Sequence, residues 1–158
     1  EFAIDQLVEI AVRALSPGVN DPFTAIACVD RLGAALCSLA ERVFPSSYRY
    51  DDEGRLRVFT DASTIPGIVD ASFRQIRQAA RHDAAVTVRL LETIAAVARH
   101  AREPIFRDAL RRHADAILRG SRDGLPDILD QADVEQRHRL AIERIDHPSD
   151  EHPSTGDC

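Results

Sequence analysis

Lysine is missing from this chain: all 20 of its basic residues are arginine. Methionine and tryptophan are missing as well, and asparagine occurs once, at position 20. Aromatic residues make up only 5% of the sequence, so any core must be aliphatic, built from Leu, Ile, Val and Ala. The ordinary source of an all-arginine basic set is codon bias in a GC-rich genome. The alternative is arginine selected for its bidentate grip on phosphate or carboxylate. The net charge is −6, and arginine is interleaved with Asp and Glu. There is no basic block of the kind that meets nucleic acid, so a nucleic-acid partner is not expected. No run of 18 apolar residues and no leader pattern appears. The three cysteines cannot form a framework. Cys28 and Cys37 fall nine residues apart in one helical pattern, on opposite sides and about 13 Å apart along the axis. Cys158 is terminal. Reduced thiols point weakly to the cytoplasm.

The familiar catalytic signatures are absent too: no G-x-G-x-x-G, P-loop, H-E-x-x-H, G-x-S-x-G or C-x-x-C. The six histidines are scattered. His82 borders a helix junction, and His100 and His138 read as exposed. His113 falls on an apolar helix face, as a core or interface histidine. No metal and no cofactor is expected; His147 and His152 are too few and too loosely placed to hold an ion.

At 158 residues with 44% apolar and 29% charged residues, the chain has the balance of one globular domain. It opens directly in a helical pattern without Met, which suggests a segment of a longer protein. Apolar spacing predicts a first helix over Phe2–Leu15 and a second over Pro22–Val43, both broad-faced and central. SYRYD and RLRVF around DEG predict a short β-hairpin with Gly54 at a positive φ. Thr64 and Asp83 are set to cap a third and a fourth helix, the latter over Ala84–Ala101. Pro104 opens a fifth, to about Arg119, with Ile105, Ala109, Leu110, Ala116 and Ile117 inward and Gly120 and Gly124 to end it. Asp133 with Gln136 resembles a capping box for a last helix to Ile145. The expected fold is therefore mostly α: a single domain of five to six helices over residues 1–145, with a small β-hairpin inserted after helix 2. Residues 146–158 read as a disordered polar tail.

One passage concentrates the special residues: RALSPGVNDPFTA, Arg13–Ala25. Pro17-Gly18 has the makings of a type II turn, and Asp21-Pro22 those of a helix start. Asn20 fits a left-handed position or an Asx turn, or else a polar contact. Glu9 and Arg13 have the spacing of a helix ion pair, and Asp5 with Glu9 that of a cation-binding pair or a solvated stripe. Glu9, Arg13, Ser16, Asn20, Asp21 and Thr24 are thus the candidate ligand or partner contacts. No catalytic residue is assigned.

The run FAIDQLVEIAVRALSPGVNDPFTAIACVDRLGAAL, with RALSPGVNDPFTA as its hallmark, resembles the C-terminal part of a bacterial family of predicted membrane proteins, domain of unknown function 2254. The resemblance continues more loosely through GRLRVF and IVDASFRQIRQAARHDAAVTVRLLETIA. It implies a bacterial inner-membrane parent with transmembrane helices ahead of this segment, but supplies no reaction. The family pattern often has a basic residue where this chain has Asp5, and Asp where it has Glu9. The expected role is a non-enzymatic soluble domain, assembling or regulating a channel or transporter, partnered by the transmembrane part and by further copies of itself. The alternatives are a membrane-surface hydrolase or transferase, and a small-ligand or ion sensor built on Ser16–Thr24.

Overall fold

A computed structural model describes residues 2–42, 48–59 and 64–147. Six helices carry the fold: α1 (Phe2–Ala14), α2 (Pro22–Ala40), α3 (Ile65–Ala79), α4 (Ala84–Ala98), α5 (Pro104–Gly124) and α6 (Ile128–Asp146). Strands β1 (Tyr48–Tyr50) and β2 (Leu56–Phe59) form an antiparallel pair between α2 and α3. The mostly α reading with one inserted hairpin is correct. Residues 148–158 of the expected tail, and Val43 at the expected end of helix 2, lie outside the described residues.

Side-chain chemistry explains most boundaries. Thr64 Oγ1 accepts from Gly67 N at 3.2 Å and starts α3. Asp83 Oδ1 accepts from Val86 N at 2.9 Å and starts α4. Each cap satisfies a backbone donor that the first helical turn leaves free, which contributes about 1 kcal/mol. In the hairpin turn Asp51 accepts from Glu53 N and Arg55 N and holds Arg57, while Gly54 takes φ +75° as expected.

The last two helices differ from expectation. Helix α5 continues through Gly120 to Gly124, because Gly124 lies against the backbone of Arg81: a Cβ there would stand 2.1 Å from the Arg81 carbonyl oxygen. Helix α6 begins at Ile128, ahead of the Asp133–Gln136 pair, because Asp127 caps it through Leu129 N at 2.8 Å. Helix α4 ends at Ala98, short of Ala101. On α5, Ile105 is half exposed and Phe106 is buried in its place.

The helices stack in two rows. Helix α1 packs on α3 and α3 on α5; α2 packs on α4 and α4 on α6. Contacts of α1 with α2, α4 with α5, and α5 with α6 join the rows. Helices α3 and α5 run the same way at nearly constant offset, as do α2 and α4. In one row Asp70 meets His113 and Arg81 meets Gly124. In the other, Asp30 meets Arg89, Gly33 meets Thr93 and Glu41 meets His100. Across rows the direction reverses: on α5 and α6, Arg111 pairs with Asp146 and Arg122 with Glu135. The space between is the expected aliphatic core, with Val29, Leu32, Leu36, Phe73, Ile76, Leu90, Ile94 and Leu110 fully buried. Burying each Leu or Ile contributes about 1.5–3 kcal/mol.

Helix α2 is long and apolar enough to cross a bilayer by length and composition. Its Ala25, Val29, Leu32, Gly33 and Leu36 are buried in the packing with α1 and α4, and about a third of the span is buried in all.

Candidate functional site

The joint between α1 and α2 gathers the polar residues singled out above. Helix α1 ends before Ser16-Pro17, and the chain turns through backbone bonds from Val19 N and Asn20 N to Ser16 O, at 3.0 and 2.9 Å. Asp21 N then donates to Ala14 O at 2.8 Å, tying the new helix to the end of the old one. The positive φ falls at Asn20 (+50°), and Gly18 does not share it, so the expected type II turn with Gly18 left-handed does not form. Asn tolerates this region better than other residues with a Cβ. Asp21 accepts from Thr24 N at 3.1 Å and from the Thr24 hydroxyl at 2.6 Å. Those two bonds, the hydroxyl foremost, hold its carboxyl below the usual carboxylate range.

Glu9 and Arg13 pair at 2.7 Å on the open face of α1, both well exposed. Their side chains make no hydrogen bond or ion pair with Ser16, Asn20, Asp21 or Thr24 among the described residues; the link is along the backbone, where Ser16 N donates to Arg13 O at 3.1 Å. The six candidates therefore form an exposed ion pair and, separately, a turn with a helix cap. Asp5 is exposed on the same helix.

A second site was not read from the sequence. Because α3 and α5 lie parallel, their outer faces enclose an open groove of ≈ 350 Å³. Asp70, Arg74 and Arg77 line it from α3; Arg112, His113 and Arg119 line it from α5, with Asp115 and Ala116 between. Spacing places the α3 group on one helix face, at i, i+4 and i+7. Arg112 and Arg119 are likewise seven apart. The signal was legible within each helix; the pairing of the two helices was not.

His113 is buried, its side chain only 4% exposed. Its Nε2 lies 2.7 Å from Asp70 Oδ1, and its ring packs on Phe73 at 5.8 Å between centroids. Burial pushes the imidazole below its ordinary range and outweighs the pull of the Asp70 charge. For Asp70, burial raises the carboxyl, but the His113 hydrogen bond and the His113, Arg74 and Arg112 charges together hold it low. At neutral pH the pair is thus an ionised carboxylate accepting from a neutral ring. The Nε2 proton goes to Asp70, which leaves Nδ1 a bare lone pair. Buried Nδ1 has no partner, and neither has buried Nε of Arg77. Burial, then the Arg74 and Arg119 charges, weaken the Arg77 guanidinium's hold on its proton.

His138, read as exposed, is 15% exposed at its side chain and bonds Asp115 at 2.8 Å; the α5–α6 contact covers it. His100 pairs with Glu41 at 2.8 Å. His82 Nδ1 donates to Gly124 O at 2.9 Å, since its Nε2 accepts from Arg81. Cys28 and Cys37 are free, and burial raises both thiols. Among the described residues no group of three or more His, Cys, Asp or Glu is placed to hold a metal ion.

The model of the family described as Predicted membrane protein (DUF2254) matches residues 1–96. The chain belongs to this family. Uncharacterized proteins of Mycobacterium tuberculosis and Mycobacterium bovis are 32% identical to it over 147 residues, covering 93% of the chain. The chain spans about 28% of the length of these relatives. No solved structure matches. The DUF2254 match takes in the α1–α2 joint and the α3 wall of the groove; the α5 wall lies beyond it.

Proposed function

We propose that this chain is a non-enzymatic soluble domain of a membrane protein, on its cytoplasmic side, and that it serves assembly or regulation of a channel or transporter. The observation that carries the reading is the apolar exposure of the α1–α2 unit. Phe2, Ile10, Val19 and Phe23 are exposed there, Phe23 by 82%. The α1 and α2 residues that face inward already fill the core. An exposed Phe at the apex of a tight, capped joint suits contact with the transmembrane part of the same protein or with a second copy.

The polar chemistry at the joint supports a binding role over catalysis. Asn20 serves the turn, and Asp21 and Thr24 serve the cap. In the groove, the Asp70–His113 pair has no Ser, Thr or Cys among the lining side chains to activate. Two measurements test the reading: light scattering of the chain at high concentration, and the oligomeric state of a full-length mycobacterial relative with the matching segment deleted. Self-association that weakens in Phe23→Ser, or a deletion that changes the relative's assembly, supports it. A strict monomer together with an unchanged assembly overturns it.

A further inference from the structure

The groove between α3 and α5 holds more positive charge than the fold neutralises. Four arginines face two carboxylates, with His113 neutral between them. Asp70 is shared by His113, Arg74 and Arg112, and Asp115 is bonded to His138. Neither Arg77 nor Arg119 forms an ion pair with a carboxylate among the described residues, and Arg77 feels the Asp70 charge only from beyond contact distance. On a chain of net charge −6, bringing guanidinium groups together without counter-charge opposes folding. The buried Arg77 Nε–H without an acceptor adds to that cost. The charge penalty falls when an anion occupies the groove and meets the guanidinium Nη groups.

We propose that this groove binds a phosphate-type oxyanion carrying at least two negative charges, with Arg77 and Arg119 as its main ligands and Arg74 and Arg112 at the rim. The charge requirement follows from the surplus of two guanidinium groups. The shape requirement follows from the walls: donors converge from two helices, and a tetrahedral group presents oxygens to both, whereas a lone carboxylate presents two in one plane. A groove of ≈ 350 Å³ accepts a phosphate or pyrophosphate with room for a small substituent. The phosphate belongs either to a soluble compound or to an anionic lipid headgroup. This site is separate from the apolar α1–α2 surface, and either reading stands without the other.

The test uses the full 158-residue chain. Titration calorimetry with pyrophosphate, against sodium chloride at matched ionic strength, reads the soluble source. Flotation with phosphatidic acid vesicles, against phosphatidylcholine vesicles, reads the lipid source. Saturable binding in either arm is expected. Arg77→Gln/Arg119→Gln should weaken it at least about tenfold, while leaving the melting temperature equal or higher because repulsion is relieved. Arg119→Gln alone, at an exposed position, should weaken binding severalfold without any risk to folding. Arg122→Gln, whose partner is Glu135 on α6, should leave binding unchanged. Absence of binding in both arms overturns the proposal. So does equal binding by the Arg119→Gln variant, or full displacement by chloride at matched ionic strength.

Discussion

Gly33 stands where α2 and α4 come closest, and replacing it with Ala tests that closeness. A Cβ at this position would lie 2.6 Å from Thr93 Cγ2, about 1 Å inside ordinary carbon–carbon contact. Overpacking of this kind costs about 1–3 kcal/mol. Ala in place of a mid-helix Gly returns about 1 kcal/mol of helix propensity. The net loss for Gly33→Ala is then about 1 kcal/mol. Thr93→Ser removes the opposing methyl and leaves a small void, also costing about 1 kcal/mol. Together the two substitutions move one methyl across the interface and keep the volume. The double variant keeps the helix-propensity gain and should therefore stand about 1 kcal/mol above the parent, a coupling of about 3 kcal/mol. Urea unfolding of the four proteins, followed by circular dichroism, measures this directly. If the single losses simply add, the two helices do not touch at this point and the register of α2 against α4 is wrong.

Gly124→Ala should cost more, about 3 kcal/mol or beyond, because its Cβ meets the Arg81 backbone, which cannot rotate away; truncating the Arg81 side chain should give no rescue in the same unfolding assay. Asn20→Gly should hold or raise the melting temperature, since glycine adopts a left-handed φ freely, whereas Asn20→Ala should cost about 1 kcal/mol. His113 is held below its unfolded value of 6.5, so the unfolded chain takes up its proton first as pH falls. Its contribution to stability is complete above pH 6.5 and declines from there down to the depressed folded value. His113→Phe should flatten that part of a stability-versus-pH curve, and an unchanged curve refutes the buried neutral ring. Asp70 is held below 3.8, so its contribution is present above that value and is lost at more acidic pH; Asp70→Asn should remove this acid loss.

The helices were legible because their inward positions repeat with helical period: Val69, Phe73 and Ile76 on α3, with Ala80 just past its end, and Val86, Leu90, Ile94 and Val97 on α4, are all fully buried. Local chemistry also announced the starts at Thr64 and Asp83. The start of α6 was misplaced because two plausible caps, Asp127 and Asp133, compete, and a sequence does not say which one tertiary packing leaves free. The end of α5 was misplaced because Gly120 looks like a stop, while the stop is set by contact with Arg81 across the fold. The arginine groove escaped notice for a related reason. Arg74 and Arg77 look like an ordinary solvated stripe, as do Arg112 and Arg119. Only the parallel pairing of their helices, which no local signal encodes, brings the four together. His113 was correctly placed on an apolar face, but its carboxylate partner sits 43 residues earlier in the chain.

The two-row stacking has a kinetic consequence. In a simple up-and-down bundle each helix first meets its neighbour in sequence, and contacts close over short loops. Here the tightest same-row pairs are separated by an intervening helix of the other row: Asp70 and His113 by 43 residues, Glu41 and His100 by 59. Long loops must close before those pairs stabilise anything, so this chain is expected to fold more slowly than a helical bundle of its length. On the ribosome, α1 and α2 can pair as soon as both emerge, but the groove is completed only after α5 has been made.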